Sequence, residues 1–451
     1  MPNSREELTR DIDKFDWREV WYPVHYVEDL DKSQPTAFTL LERDLVIWWE
    51  EKAGCWRVFE DKCPHRLAPL SEGRINQEGL LECPYHGWTF SGEGKCESIP
   101  QQLEGGKAQS SPRACVTSLP TVVRQGLLFA YPGKPENAGK TRVPIVDPLE
   151  DSPEDWLVLN TFRDLPYDAL TLLENVLDAS HIPYTHHGTV GNRANAAPVE
   201  LEIVESGKWG FKGVWEEGPR KGALGRQDTT FIAPLLMWHD LTSKQFGRTL
   251  TVVYATPISK GKCRLFARFP FKFASKIPAF FIKLTPRWYS HIGQNSILED
   301  DQIFLHHQER YLEELGGGEN FAKAFYLPTK ADTFVVELRK WVNTYSLEPF
   351  EQTNLPPRAA RRELLERYYS HTENCGSCSK ALARIEKLGL GSGMVSAIAL
   401  ILSPPCVVYF PSMVLVTTVI SLVAGAAWLY LSSLKRKFYQ GQIIPPRNFR
   451  Q

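Results

Sequence analysis

The sequence predicts an α+β protein in three parts: an all-β N-terminal domain, a second domain of antiparallel sheet with helices, and a hydrophobic hairpin near the C-terminus. Three observations predict it. Residues 15–150 alternate short, apolar, β-rich runs with Gly and Pro. Residues 151–372 mix strand and helix periodicities. Residues 388–434 carry no charged side chain.

In the first part, residues 37–41 and 45–49 are apolar and β-branched or aromatic, as strands require, and residues 133–140 form a Pro- and Gly-rich linker. In the second, strands are expected at 156–160, 199–204, 209–214, 249–254 and 264–269, and helices at 170–179, 297–314 and 321–342. A linker at 373–387 leads into the uncharged stretch, and a basic tail at 435–451 follows it. One membrane span needs roughly 20 apolar residues, so 388–434 is long enough for two. Pro404 and Pro405 are expected to kink the first span, with a turn near 409–411. Lys380, Arg384 and Lys387 before the stretch, and Lys435, Arg436 and Lys437 after it, place both ends on the cytoplasmic side.

Net charge is −1, with no basic block, which excludes a nucleic-acid-binding surface. Nine cysteines are too few for a disulfide scaffold and fit a reducing compartment. The N-terminus, Met1 to Glu7, has no apolar core of a signal peptide and is too acidic for an organelle transit peptide.

The strongest chemical signal is Cys63-Pro64-His65-Arg66 followed by Cys83-Pro84-Tyr85-His86-Gly87-Trp88. Two loops each offer one Cys and one His. That is the ligand set of a Rieske [2Fe–2S] cluster, in which the His pair sits on one iron. Zinc also accepts Cys₂His₂, but zinc fingers keep like ligands together. Proteins of bc-type complexes add two cysteines that form a disulfide beside the cluster; Ala68 and Tyr85 occupy those positions here. About a hundred residues on, Asp178-x-x-His181-x4-His186 gives a carboxylate and two imidazoles. Asp178 and His181, three apart, are expected to share a helix face, and Pro183 to turn the chain so that His186 reaches the same metal. Two His and one carboxylate form the facial triad of non-haem Fe(II) oxygenases. Glu299-Asp300-Asp301 is the best source of the carboxylate. His187, His306 and His307 read as neighbours rather than ligands.

These motifs, the Cys375-Gly376-Ser377-Cys378 pair and the hydrophobic tail resemble, over nearly the full length, the pheophorbide a oxygenase group of Rieske non-haem iron oxygenases, which includes chlorophyllide and protochlorophyllide oxygenases. The resemblance implies a helix-grip catalytic domain, a Rieske cluster on Cys63, His65, Cys83 and His86, and mononuclear Fe(II) on His181, His186 and a carboxylate. The register of the family's acidic segment selects Asp300, with Asp301 as the alternative. The resemblance further implies a ferredoxin or similar reductase as donor, O₂ as oxidant and a hydrophobic chlorophyll-derived tetrapyrrole as substrate. It implies a homotrimer in which Asp178, on the same segment as Asn175, is the catalytic link from one subunit's Rieske histidines to His181 of its neighbour. Cys375 and Cys378 would be redox-regulatory, a target of thioredoxin; with no second Cys pair they are not read as a metal site. A membrane-anchored cyanobacterial member, on a thylakoid or plasma membrane, fits the absent transit peptide. Two other readings stay open: a hydroxylase or methyl oxidase of a chlorophyll precursor, and a membrane redox carrier or sensor. A carrier would hold about two irons per chain and an oxygenase about three.

Overall fold

The computed structural model describes residues 14–243, 247–273, 275–345, 349–350 and 354–449. The Met1–Glu7 segment lies outside them. The chain folds as two compact units, one of residues up to Phe280 with Ile303–Arg358, the other of Phe281–Gln302 with Ala359 onward.

The first unit begins with eleven short strands: β1 (Tyr22–Tyr26), β2 (Thr36–Leu40), β3 (Arg43–Glu50), β4 (Cys55–Glu60), β5 (Arg74–Ile75), β6 (Leu81–Glu82), β7 (Thr89–Phe90), β8 (Cys96–Ser98), β9 (Ser118–Leu119), β10 (Thr121–Arg124) and β11 (Leu127–Ala130). They form three antiparallel sheets, β1-β11-β10, β2-β3-β4-β9 and β5-β6-β7-β8. Every β1 and β11 side chain is buried, which explains their unbroken apolar runs. The β5–β8 sheet and the β3–β4 hairpin close over Trp48, Phe59, Leu70, Leu81 and Phe90, and Cys63 and Cys83 belong to that same core. Each such large side chain contributes roughly 1.5–3 kcal/mol by leaving water. The loops between β4 and β7 therefore hang from a rigid base.

A seven-stranded antiparallel sheet follows: β12 (Leu157–Leu165), β13 (Glu202–Gly207), β14 (Gly210–Trp215), β15 (Gln227–Ile232), β16 (Leu236–Ser243), β17 (Gly247–Ser259) and β18 (Lys262–Lys272), in the order β12-β18-β17-β16-β15-β14-β13. The sequence missed β15 and β16. Their inward positions include Gln227 and Thr229, buried but polar, so no apolar alternation marks the strand.

The helices in chain order are α1 (Pro135–Ala138), α2 (Ala169–Leu177), α3 (Ile182–Thr185), α4 (Lys276–Leu284), α5 (Arg287–Glu314), α6 (Phe321–Ala324), α7 (Thr333–Tyr345), α8 (Arg361–Leu364), α9 (Gly376–Tyr409) and α10 (Val414–Tyr439). α2 packs on β17 and β18 and against α7. The single helix expected at 321–342 is two. Pro328 interrupts it, and the Thr329 N–H and hydroxyl donate to Asp332 at 3.1 and 2.7 Å, closing a cap that starts α7. α5 starts ten residues earlier than expected.

In the second unit α9 and α10 pair as a hairpin. Ser396 and Ser421 exchange hydrogen bonds of 2.9 and 3.0 Å, and Glu386 meets Lys435 at 2.8 Å where the charges resume. Both helices are long and apolar enough to cross a membrane, and their apolar windows are almost wholly exposed. α9 continues as helix through the Pro pair to Tyr409.

Candidate metal centres

The two Cys-His loops are built alike. The Cys63 N–H donates to the Ala68 carbonyl at 2.9 Å, and the Cys83 N–H to the Trp88 carbonyl at 2.8 Å. Leu67 N–H returns to Cys63 O at 2.8 Å, and Gly87 N–H to Cys83 O at 3.1 Å. Leu67 and Gly87 hold matching left-handed conformations, φ 60° and 71°. Glycine meets that demand at no cost, whereas Leu67 meets it under strain, of order 1–3 kcal/mol, at the rim of a site. The loops bury both thiols and bring both imidazoles together: Cys63 and Cys83 are each 1% exposed, and the His65 and His86 ring centroids are 4.4 Å apart. His65 also stacks on Trp88, at 4.8 Å and 6° between planes.

This donor set fits a [2Fe–2S] cluster. Burial pushes the Cys63 thiol up to about 12, so this thiol becomes a thiolate only against a metal's positive charge. The His86 pKa is held below its usual value by desolvation and by the neighbouring His65 and Arg66, which keeps a neutral ligand nitrogen available. The buried Nδ1 of His65 has no hydrogen-bond partner among the described residues, as a ligating nitrogen requires.

The second constellation departs from the expectation of a shared helix face. α2 ends at Leu177, and Asp178 leaves the helix at ψ 102°. Its Oδ1 accepts from the Ser180 N–H at 2.7 Å and the Ser180 hydroxyl at 2.6 Å, an Asx turn that competes with the helix. Asp178 therefore lies beside the imidazole pair. The His181 Nδ1–H donates to the Asp178 carbonyl at 2.5 Å, which fixes the ring and turns Nε2 toward the Nε2 of His186, 3.3 Å away. Pro183 sits in the first turn of α3, and His186 caps that helix. Gly191 N–H donates to the His186 carbonyl at 2.9 Å, closing the turn from behind.

Asp300 and Asp301 are both buried on α5. One residue turns a side chain by about 100° around a helix axis, and Asp300 Oδ1 lies 3.5 Å from Arg447 Nη1. Two imidazoles and a carboxylate suit iron and leave positions open. Asn175 is half-buried on the last turn of α2. The His187 Nδ1 accepts from the Arg193 N–H at 3.2 Å, and His306 bonds the Pro166 carbonyl at 2.7 Å.

The sequence reading overlooked His239 on β16. The Thr229 hydroxyl donates to its Nδ1 at 2.8 Å, and its Nε2–H donates to the Val176 carbonyl at 2.9 Å. Desolvation holds its pKa down at about 4, so it stays neutral in that role. It anchors the last turn of α2, two residues before Asp178. The only available signal was the Gln227/Thr229 polar pair. His239 also borders a cavity of about 1140 Å³, flanked by Ile182, Tyr184, Trp215 and Leu224, with Arg220, Lys221, Lys330, Glu200 and Glu217 also lining it.

Cys375 and Cys378 are buried thiols, not a disulfide. His291 and His371 lie against them.

The sequence model of the Rieske [2Fe–2S] domain matches residues 20–120, and that of pheophorbide a oxygenase residues 231–319. A pheophorbide a oxygenase of Oryza sativa subsp. japonica is 38% identical over 87% of this chain and 79% of its own length. The chain belongs to the pheophorbide a oxygenase family of Rieske non-haem iron oxygenases. Flavonoid 8-hydroxylase 2 of Ocimum basilicum is 37% identical over 88% of this chain and 80% of its own. The protochlorophyllide-dependent translocon component 52 of Arabidopsis thaliana is 36% identical over 82% and 74%. Dicamba monooxygenase bound to dicamba shares the fold, with a TM-score of 0.59, 23% identity, and 72% of this chain and 96% of that one covered. The Pseudomonas putida CBB5 protein NdmA with caffeine gives 0.58 and 20%, over 72% and 90%. The family's cofactors are a Rieske [2Fe–2S] cluster and mononuclear iron, and with them the chain is an oxygenase rather than an electron carrier.

Proposed function

We propose that this oxygenase uses O₂ and ferredoxin-derived electrons to oxygenate and open the macrocycle of pheophorbide a. The carrying observation is the large cavity beside the segment that bears His181 and His186. At about 1140 Å³ it exceeds the roughly 300–1,000 Å³ of common ligand pockets, so it admits a large flat substrate. Its apolar walls suit a tetrapyrrole face, and Arg220 and Lys221 suit the carboxylate such a pigment carries. The 38% identity to a pheophorbide a oxygenase supports the same substrate; the relative named a flavonoid 8-hydroxylase supplies the competing class.

In this reading Cys63, His65, Cys83 and His86 hold the cluster, and His181, His186 and Asp300, with Asp301 as the alternative, hold the iron. When bound, these groups supply one-electron transfer and O₂ activation. The chain supplies the rest. The Asp178 carbonyl orients His181, His239 fixes the turn before it, and the cavity walls exclude water and position the pigment. Asp178 is half-exposed beside His181. We assign it the bridge from His181 to a Rieske histidine, His86 or His65, of a neighbouring subunit in a homotrimer. Asp178→Asn should retain about three irons per chain and lose turnover by at least tenfold; full activity in that variant would end the bridging role. The hairpin anchors the enzyme in a membrane with its catalytic parts on the cytoplasmic side. The exposed Ile277, Phe280, Phe281 and Leu284 of α4 support a resting surface on lipid.

The test is to incubate the full-length protein with ferredoxin, a reducing system and ¹⁸O₂, offering pheophorbide a, chlorophyllide a, protochlorophyllide a and a flavone separately. One labelled oxygen in an opened pheophorbide product is expected. Labelling only of another compound would replace the substrate and keep the chemistry. No labelling at all, with both iron sites filled, would remove the tetrapyrrole assignment.

A further inference from the structure

The Cys375/Cys378 pair does not stand alone. His291 comes to it from the first turns of α5, and His371 from a single π-helical turn, Tyr368–Thr372, just before α9. All four side chains are buried, at 0–2% exposure. Cys375 Sγ lies 3.5 Å from His291 Nδ1, and Cys378 Sγ lies 3.4 Å from the same nitrogen. Cys378 Sγ lies 3.3 Å from His371 Nε2, and the two nitrogens are 3.0 Å apart. All four ligand atoms fall within 4.8 Å of one another.

We propose that His291, His371, Cys375 and Cys378 form a structural zinc site. The distances carry the inference. With Zn–S of about 2.3 Å and Zn–N of about 2.0 Å, the edges of a tetrahedron are roughly 3.5 Å for S to N and 3.3 Å for N to N. The three S–N separations and the N–N separation lie within a few tenths of an ångström of those edges. Four buried donors packed around one point suit one ion. The coordination they offer is complete, which is the mark of a structural rather than a catalytic zinc. Other features favour thiolates here. Arg287 Nη2 donates to Cys375 Sγ at 3.6 Å, and both cysteines sit at the N-terminus of α9, the positive end of its dipole. Without an ion, two imidazoles and two thiols would be buried against each other with few proton arrangements that satisfy all four.

The expectation from sequence that this Cys pair is no metal site assumed a second Cys pair as the complement. Two histidines take that place, one of them more than eighty positions upstream. The site clips the start of α5 to the base of the α9–α10 hairpin. His291 precedes Asp301 by ten helical residues, about 15 Å along the same helix, so the clip also sets the helix that bears both candidate carboxylates, Asp300 and Asp301.

The test is made on the full-length protein purified in detergent from zinc- and iron-replete cells. Elemental analysis should give one zinc per chain beside about three irons. Zinc-edge X-ray absorption should show two sulfur and two nitrogen neighbours near 2.3 and 2.0 Å. The double variant C375S/C378S should lose the zinc and keep the irons. Substoichiometric zinc in the native protein, a fourth iron in its place, a Cys375–Cys378 disulfide by mass spectrometry, or zinc retained in the variant would each overturn the assignment. If the variant does not accumulate, the absorption spectrum of the native protein decides alone.

Discussion

Asp300 and Asp301 show what one residue decides. The pair occurs in a run of three acidic residues, Glu299-Asp300-Asp301, and all three are buried. Glu299 is held by Arg367 at 2.6 Å, and Asp300 lies 3.5 Å from Arg447. We propose Asp300 as the iron's carboxylate, with Asp301 as the alternative. Asp300→Asn should therefore lower iron from about three to about two per chain while the Rieske absorption and its reduced-state paramagnetic signal persist. Asp301→Asn should keep all three irons. The opposite pattern would move the carboxylate to Asp301. A second residue matters for space rather than charge. A Cβ on Gly191 would stand 2.1 Å from the Ile182 carbonyl oxygen and 3.1 Å from that of His186. Both are backbone atoms that cannot swing aside. Gly191→Ala should displace the α3 turn and cut mononuclear iron occupancy several-fold, read by the same elemental analysis; unchanged iron would show that the turn yields. The metal-ligand types were legible in the sequence because few other roles call for Cys-x-His with Cys-x-x-His at that spacing. The choice between Asp300 and Asp301 was not, because a helix register depends on partners such as Arg447 that lie far away in the chain.

At the scale of elements, α2 and the C-terminal half of α5 are locked by carboxylates. The Asp168 N–H donates to Glu309 Oε1 at 2.6 Å, and the Thr171 hydroxyl to the same oxygen at 3.2 Å. Arg339 and Gln308 bond the buried Glu174 farther along α2. Burial and the nearby Asp168 charge push Glu309 up to about 8, above its ordinary 4.5. A carboxyl raised on folding binds its proton more tightly in the native state. Its stabilisation is then full below about pH 4.5 and is lost as pH rises through about 8. Glu309→Gln keeps an amide in place of the protonated acid. The fall in stability between pH 5 and pH 9 should be smaller in the variant, by on the order of 4 kcal/mol, measured by thermal unfolding of both proteins. An equal fall in both would show that Glu309 ionises normally. Strand and helix cores were read from periodicity, but element ends followed side-chain competition that periodicity does not carry. Asp178 stopped α2 through Ser180, Pro328 split the helix at 321–342, and β15 hid behind inward Gln227 and Thr229, which sits under His239.

At the scale of the whole molecule, both helices of the C-terminal hairpin are long and apolar enough to cross a membrane. Leu415 and Leu422 are 73% and 68% exposed on α10, and Leu400 and Ile401 are 66% and 70% exposed on α9. A soluble protein seldom leaves so continuous an apolar surface in water, whereas lipid tails cover it at no cost. Polar side chains within the stretch, Ser396, Ser403, Thr417 and Ser421, bond across the two helices or to their own backbone, as a span in hydrocarbon requires. The basic ends of both helices lie together, marked by Lys435 on Glu386. This arrangement predicts a protein that stays with the membrane pellet after an alkaline carbonate wash. An arginine at the centre of a span costs roughly 2.5–3.5 kcal/mol on insertion scales, so Leu422→Arg with Val423→Arg, near the middle of the apolar part of α10, should shift most of the protein out of the washed pellet. If the hairpin lay against water instead, the added charges would raise solubility and leave the fractionation of the native chain unchanged, with both forms in the supernatant.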